Sequence, residues 1–458
     1  MEVVTIHDWG KLHSKVLSLF LNRMNDVAIP YFILRNYEGL PEINTSKDVD
    51  IIIQPGKYHT AKKILLDTFK QCGLSNYYVM DFERAHCIFG INLNLNFSIH
   101  IDLIEGYANK GFEILSFDYL YQNTIPYKNF RVLSNALNSI MLILYKVIGC
   151  KELKEKYRTA IQSAFQKNEK EMQQILIEVL GNHTGNDIFN NISNNNYDRI
   201  VKHSKQISRA AKLRVIKQFP FKTFIGIVFF LQEKAMRMII CCHKFQKSIA
   251  VEAPDGTGKT TFINKLIQEI AHTFVSDISK SHIYHHRPNI LPNLGAVGEK
   301  TGVMKQDKDF TIPHRAKPVG FLSSFIRMTY YWLDYVIGMP FILRKDAQFD
   351  NITIFDRYIY DFLVDPYRTR IKLPYWIRKV FTKLVKQPKI VFVLDADANT
   401  IYSRKQELCK EEINRQLMEF RKLKHLGERV YILDASQTPQ QIANDAIRIV
   451  IDKFTHKL

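Results

Sequence analysis

Residues 249–260 read Ile-Ala-Val-Glu-Ala-Pro-Asp-Gly-Thr-Gly-Lys-Thr, an apolar run passing directly into two glycines, an ammonium side chain and hydroxyls. These residue types at this spacing suit the neutralisation of a polyphosphate. Gly256 and Gly258 let backbone amides crowd an anion, and a helix starting near Lys259 aims its positive end at the same place. Lys259 then reaches the β- and γ-phosphates of a nucleoside triphosphate, and the Thr260 hydroxyl ligates Mg²⁺. The expected nucleotide-binding set is Ala253, Pro254, Asp255, Gly256, Thr257, Gly258, Lys259, Thr260 and Thr261, with Ala253 in the slot where the pattern usually has glycine.

A second constellation stands at 354–358, Ile-Phe-Asp-Arg-Tyr. Asp356 can hold hydrated Mg²⁺ and Arg357 can clamp a phosphate. Phosphoryl transfer needs little covalent help and much charge compensation, so a lysine, a Mg²⁺ ion and mobile arginines are the parts to look for. Arg404, Lys405 and Arg415 supply further charge in a segment, running to Arg421, that can close as a lid. For Lys405 and Arg421 the stronger reading is a solvated helix face.

A third lies near the amino terminus. Asp48 and Asp50, two residues apart in Lys-Asp-Val-Asp-Ile-Ile-Ile, fall on one face of a strand, and Asp102 in Ile-His-Ile-Asp-Leu offers a carboxylate on another. Three such groups can hold Mg²⁺ for attack on a nucleotide α-phosphate.

The elements that must position these residues are legible as patterns. Apolar runs at 248–252, 282–286, 352–356, 390–395 and 430–434 alternate with helical spacing such as Phe262, Ile263, Leu266, Ile267 and Ile270. Five such runs predict a doubly wound parallel five-stranded sheet, an α/β fold whose ligands sit beyond the carboxyl ends of the strands. Shorter strands at 31–35, 49–53, 86–91 and 98–104 predict a small amino-terminal α/β domain, and an asparagine-rich patch at 190–196 reads as a loop. The organisation expected is 1–134, an amino-terminal domain; 135–247, a helical basic connector; and 248–458, the parallel-sheet domain.

At 458 residues with 46% hydrophobic and 24% charged residues, the chain suits two folded modules and not wholesale disorder. Cys72, Cys87, Cys150, Cys241, Cys242 and Cys409 show no Cys-x-x-Cys spacing, and the start lacks the layout of a secretory signal. Arg327 and Asp334 interrupt the aromatic stretch from Val319 to Leu343, so no membrane span is expected, and a reducing cytoplasm fits best. The formal net charge of +19 is concentrated in Arg199–Lys247. There Phe219–Leu231 has the composition of an interfacial helix as well as of an interdomain packing helix. Packing is the favoured reading; peripheral contact with an anionic membrane is the other. No recognised reading module accompanies the charge, which argues against nucleic acid.

The residues from about Ser248 to Leu458 resemble the thymidylate-kinase-like nucleoside monophosphate kinases. The match runs through Glu-x-x-Asp-Gly-x-Gly-Lys-Thr-Thr at 252–261, Asp-Arg-Tyr at 356–358, Val-Phe-Val-Leu-Asp-Ala-Asp at 391–397 and Leu-Asp-Ala-Ser-Gln-Thr-Pro at 433–439. The resemblance implies a P-loop kinase using ATP and Mg²⁺, with Asp255 touching a small phosphorylated acceptor, Arg357 bridging acceptor phosphate and γ-phosphate, and Arg404 as lid arginine. Arg415 adds to the nucleotide site. After Asp-Arg-Tyr this chain departs from family members acting on thymidylate, and it looks like the divergent kinase-like proteins of bacterial surface-polysaccharide gene clusters. His285-His286-Arg287-Pro288 and Tyr330-Tyr331-Trp332 likewise replace a thymine pocket.

The segment from about Val27 to Thr124 resembles the minimal nucleotidyltransferases, with Asp48, Asp50 and Asp102 as the implied metal ligands. Their Gly-Ser turn is missing; Leu34–Leu40 occupies its place, and Arg35 or Asn36 can substitute by binding phosphate. Neither an Asn-Lys-x-Asp nor a Leu-Ser-Gly-Gly signature occurs, which argues against a switch GTPase and a transporter ATPase. A nucleotide-binding scaffold without turnover, or nucleotidyl transfer as the main activity, remain the alternatives to a kinase.

Overall fold

The computed structural model describes residues 9–82, 84–240, 247–274, 281–292 and 320–458. The amino-terminal start, Cys241, Cys242 and Val319 lie outside the described residues. The chain divides into two compact units, Met1–Glu233 with His456–Leu458, and Lys234–Thr455.

The first unit is built on an eight-stranded mixed sheet. Its strands in chain order are β1 (Tyr31–Ile33), β2 (Val49–Ile53), β3 (Asn76–Phe82), β4 (Ala85–Asn92) and β5 (Phe97–Ile104). A separate hairpin follows, β6 (Tyr107–Asn109) with β7 (Phe112–Leu115), and then β8 (Thr124–Tyr127) and β9 (Phe130–Leu133). The spatial order is β3-β4-β5-β2-β1-β9-β8, with the last strand of the chain, His456–Lys457, added antiparallel beside β3.

Alternation decides what each face of β2 does. Ile51 and Ile53 pack with Val16, Leu17 and Phe20 of helix Lys11–Asp26, whereas Ile52 joins Phe32 and the helical layer of residues 135–211. Asp50 shares the Ile52 side, so the carboxylates fall on the face turned toward the helical layer. That layer was expected as a separate connector; as far as Glu233 it belongs instead to the first unit, because Leu137, Ile140, Leu144 and Ile161 are buried in one core with sheet residues. The expected loop at 190–196 is also shorter, since helix Asn182–Ser193 runs through Asn190 and Asn191 and ends only at the turn that follows. Burial of Ile188 and Ile192 holds it helical against its composition.

Helix Pro220–Ile240 crosses the β6–β7 hairpin at glycine on glycine. A Cβ at Gly226 would run into the Gly111 carbonyl oxygen, and backbone cannot give way there as a side-chain tip can. Gly226→Val therefore destabilises the first unit by about 1–3 kcal/mol, read as a lower denaturant midpoint at unchanged slope. An unchanged midpoint would remove this crossing as the cause. On another side of the same helix Phe221, Phe224 and Phe229 are exposed.

The second unit carries the five parallel strands expected: β10 (Ser248–Glu252), β11 (Ser281–His285), β12 (Ile352–Asp356), β13 (Ile390–Asp395) and β14 (Val430–Asp434), in the order β11-β12-β10-β13-β14. Helices cover both faces, which is why the strands read as near-continuous apolar runs. Ala250, Phe355, Val391 and Val393 pack with Met328, Tyr335 and Phe420, while Phe392 meets Phe262 edge-on at 5.9 Å. Parallel register then places Glu252, His285, Asp356 and Asp395 together at the carboxyl edge of the sheet.

Candidate functional site

Central strand β10 ends at Glu252, and the chain turns through residues 253–258 into helix Lys259–Thr273. Gly256 and Gly258 have φ of 88° and 94°, a region costly for any residue with a Cβ. A Cβ on Gly256 would also meet the Ile401 carbonyl oxygen at 3.3 Å, because helix Ala398–Arg404 lies against the turn. The Thr257 hydroxyl donates to the Pro254 carbonyl at 2.8 Å and closes the loop. Ala253 is buried, whereas Thr260 and Thr261 stand exposed in the first helical turn.

Opposite the turn, β12 delivers Asp356 to the Lys259 ammonium, and the two form an ion pair. His285, in register on β11, lies 3.1 Å from the other Asp356 oxygen. Burial works to raise the Asp356 carboxyl, but Lys259 and His285 outweigh it and keep it ionised below its ordinary range. This pair is the mutual contact that the sequence left 97 residues apart.

Arg357 follows with φ of 72° and is only 3% exposed. Its guanidinium donates to Asp255 at 2.7 Å and to both oxygens of Asp361 at 3.0 and 3.1 Å. Asp255 also accepts from Arg368, so two guanidinium groups share one carboxylate. Burial opposes ionisation of Asp255, yet Arg357 and Arg368 hold it well below the usual carboxylate range. Glu252, fully buried beneath them, accepts from the Tyr358 amide at 2.7 Å, and its second oxygen has no partner. Burial, with Asp361 adding to it, pushes that carboxyl well up against the pull of Arg357.

The loop after β11 is fixed by buried Asp334, which accepts from the backbone N–H groups of Asn289, Ile290 and Leu291 at 2.8–3.1 Å. His286 has its ring 3.6 Å from Asp361, and the Arg287 guanidinium lies over the Tyr331 ring at 4.9 Å.

Not every sequence-predicted residue joins this group. Arg404 ends the helix beside the glycine turn but its side chain is exposed. Arg415 is engaged by Glu412 at 2.7 Å and by the Val364 carbonyl at 3.0 Å. Arg421 forks onto Asp395 at 2.9–3.1 Å, so it is not merely a solvated helix residue, and Lys405 pairs with Glu407. From sequence, Glu252 had no role beyond the motif it opens and His285 only marked the departure from a thymine pocket, whereas Asp361, Asp365 and Arg368 were candidates to face the acceptor pocket.

In the first unit, ligand oxygens of Asp48, Asp50 and Asp102 lie within 4.8 Å of one another. Register explains this: Asp50 on β2 stands beside Asp102 on β5, and Cys87 on β4 stands on the other side of Asp102. Burial, with Asp48 and Asp102 adding to it against Arg35, pushes the Asp50 carboxyl up to about 6. Asp102 is held down by the His100 ring at 2.7 Å, which overcomes the effect of burial. His100 stacks on Phe89 at 4.1 Å. Cys87 and His100, with Asp102, form a second candidate ligand trio that the sequence did not single out. Arg35 does not stand open for phosphate, as considered from sequence; its Nε donates to Asp50 at 2.5 Å.

Among the described residues, Cys72, Cys87, Cys150 and Cys409 form no disulfide.

No protein-family model matches the chain, and no curated protein matches it. Among solved structures, thymidylate kinase from Ehrlichia chaffeensis is similar over 45% of this chain and 98% of its own, at 15% identity and a TM-score of 0.31. A likeness of that degree leaves the chemistry to be read from the side chains themselves.

Proposed function

We propose that the second unit is an ATP- and Mg²⁺-dependent kinase, a P-loop phosphotransferase of thymidylate-kinase type that moves the γ-phosphoryl group to a small phosphorylated acceptor, a nucleoside monophosphate or a sugar phosphate. The observation that carries this reading is the meeting of Lys259 and Asp356 across adjacent parallel strands at the mouth of a two-glycine turn. The donor set fits the groups it would take. Gly256 and residues 258–260 place backbone amides at a helix amino terminus suited to a polyphosphate, Lys259 supplies the ammonium, and Thr260 and Asp356 are hard oxygen donors for Mg²⁺. When bound, Mg²⁺ would neutralise phosphate charge.

In this reading an acceptor phosphate oxygen attacks the γ-phosphorus while the bond to the β–γ bridging oxygen breaks, and ADP leaves with the electron pair. Lys259 balances the growing charge on the transferred group. Arg357 and Arg368, now sharing Asp255, offer an acceptor phosphate two guanidinium groups in place of that carboxylate, which suits bidentate recognition. Acceptor-dependent ADP release across a panel of nucleoside monophosphates and sugar phosphates tests this. ATP uptake with no turnover on any of them would favour a scaffold instead.

A second activity is favoured by the carboxylate cluster of the first unit. Asp48, Asp50 and Asp102 suit a Mg²⁺ ion for nucleotidyl transfer, with Arg35 compensating their charge until the cation does. Mg²⁺-dependent incorporation of labelled nucleotide is expected, falling about 10²-fold or more in Asp48→Asn. Unchanged incorporation in that variant would end this reading.

A further inference from the structure

Helix Pro220–Ile240 wears its apolar surface outward. Along the part within the first unit, the positions turned inward are Thr223, Gly226, Ile227 and Phe230, at i, i+3, i+4 and i+7 spacing. Phe221, Phe224, Ile225 and Val228 repeat that spacing on another side and are 75%, 65%, 38% and 44% exposed; Phe229 at 65% and Leu231 at 56% extend the stripe. A helix of a globular protein ordinarily turns its apolar stripe to the core. Single exposed apolar residues need no explanation, but a continuous aromatic stripe marks a surface that something covers.

The charge beside it says what. Helix Ser204–Gln218, directly preceding, carries Lys205, Arg209, Lys212, Arg214 and Lys217 and no acid. Over residues 199–233 the sequence has eight basic residues against Glu233 alone. A second copy seated across a two-fold axis would set this charge against itself, since the same patch faces its own image. An acidic lipid surface complements both features at once. Its phosphates and carboxylates match the lysines and arginines, and its headgroup–acyl boundary accepts phenylalanine rings.

We propose that residues 204–231 form a membrane-surface docking element, with the Phe221, Phe224 and Phe229 side chains entering the interface of an anionic bilayer and the basic helix lying on its headgroups. The association is peripheral; among the described residues no helix is long and apolar enough to cross a membrane. It holds whether or not the second unit is a kinase, since none of its residues belongs to the phosphate site.

Flotation of the full chain with vesicles tests it. With phosphatidylcholine containing about 30% phosphatidylserine, the bound fraction exceeds that on phosphatidylcholine alone by about tenfold, and about 0.5 M salt abolishes the difference. The triple variant Phe221→Ser, Phe224→Ser, Phe229→Ser loses about tenfold or more of this binding while its circular dichroism and melting midpoint stay those of the native chain. The single variant Phe224→Trp keeps the native surface hydrophobic and reports insertion directly: brominated lipid quenches its added indole emission beyond any quenching of the native protein. Equal binding to neutral vesicles, no flotation at low salt, full binding by the triple variant or an unquenched indole in Phe224→Trp each overturns the proposal. So does a dimer of the native chain that the triple variant dissolves, because the stripe is then covered by a second copy.

Discussion

Replacing Lys259 by alanine lowers acceptor-dependent ADP release by about 10²–10³-fold or more, the size of losing one charge donor aimed at a transition state, about 2.7–4 kcal/mol. The loss falls chiefly in kcat, because backbone amides of the glycine turn still hold the triphosphate while the γ-phosphoryl group has lost its ammonium. Lys259→Arg does not restore the rate: a planar guanidinium cannot occupy the place of a compact ammonium between Asp356 and the phosphates. The ion pair with Asp356 also predicts a structural consequence. Without Lys259, Asp356 loses its ammonium partner while the His285 ring stays 3.1 Å away, and its carboxyl moves up toward the ordinary range. Turnover like that of the native chain in Lys259→Ala would remove the kinase assignment; loss of turnover with the far-ultraviolet spectrum kept would support it.

Arg357→Ala combines a loss of transfer with a large loss of stability. The side chain is 3% exposed and pairs with Asp255 and Asp361, so its removal leaves Asp361 buried without its guanidinium partner. Breaking a buried pair in this way costs about 3–5 kcal/mol, which for a unit of this size lowers the melting midpoint by roughly 6–20 °C. Arg357→Gly recovers about 1 kcal/mol of that loss, because φ at this position is 72° and glycine adopts it without strain. The double variant Arg357→Met, Asp361→Leu separates the two roles: replacing both charges by apolar groups restores stability but not transfer. If it restores both, Arg357 serves the fold alone.

The Asp255 carboxyl gives this hub a pH signature. Its folded-state affinity for protons is depressed, so the stability it contributes is fully present above its ordinary value of about 4 and is lost as pH falls through the lower folded value. Arg357→Ala weakens that depression, and the difference in midpoint between variant and native chain therefore narrows at acid pH.

Much of the second unit was legible because each parallel strand is covered on both faces and so reads as an unbroken apolar run ending at a polar residue. Ile352–Asp356 and Ile390–Asp395 are found within a residue by that signal alone. The first unit was less legible. Strand β3, Asn-Tyr-Tyr-Val-Met-Asp-Phe, is only half buried, its short Tyr-Tyr-Val-Met run was not read as a strand, and its neighbour on one side is His456–Lys457 from the far end of the chain. No local pattern anticipates a partner at that separation. The carboxylates Asp48 and Asp50 were visible as a pair because alternation puts residues two apart on one face. Their company with His100 and Cys87 was not, since it depends on which strands lie side by side.

Residue order along the chain is enough to supply the residue types that can neutralise polyphosphate, the glycine turn that needs positive φ, and the alternation that puts Asp48 and Asp50 together. These follow from local sterics and from periods of two and 3.6 residues. The tertiary structure alone decided that Lys259 meets Asp356, that Arg357 lies between Asp255 and Asp361, that Arg35 turns onto Asp50, and that Phe221 and Phe224 face outward. Each of these depends on strand order, register or which side of a helix finds a core, and those are set by packing between segments distant in the chain.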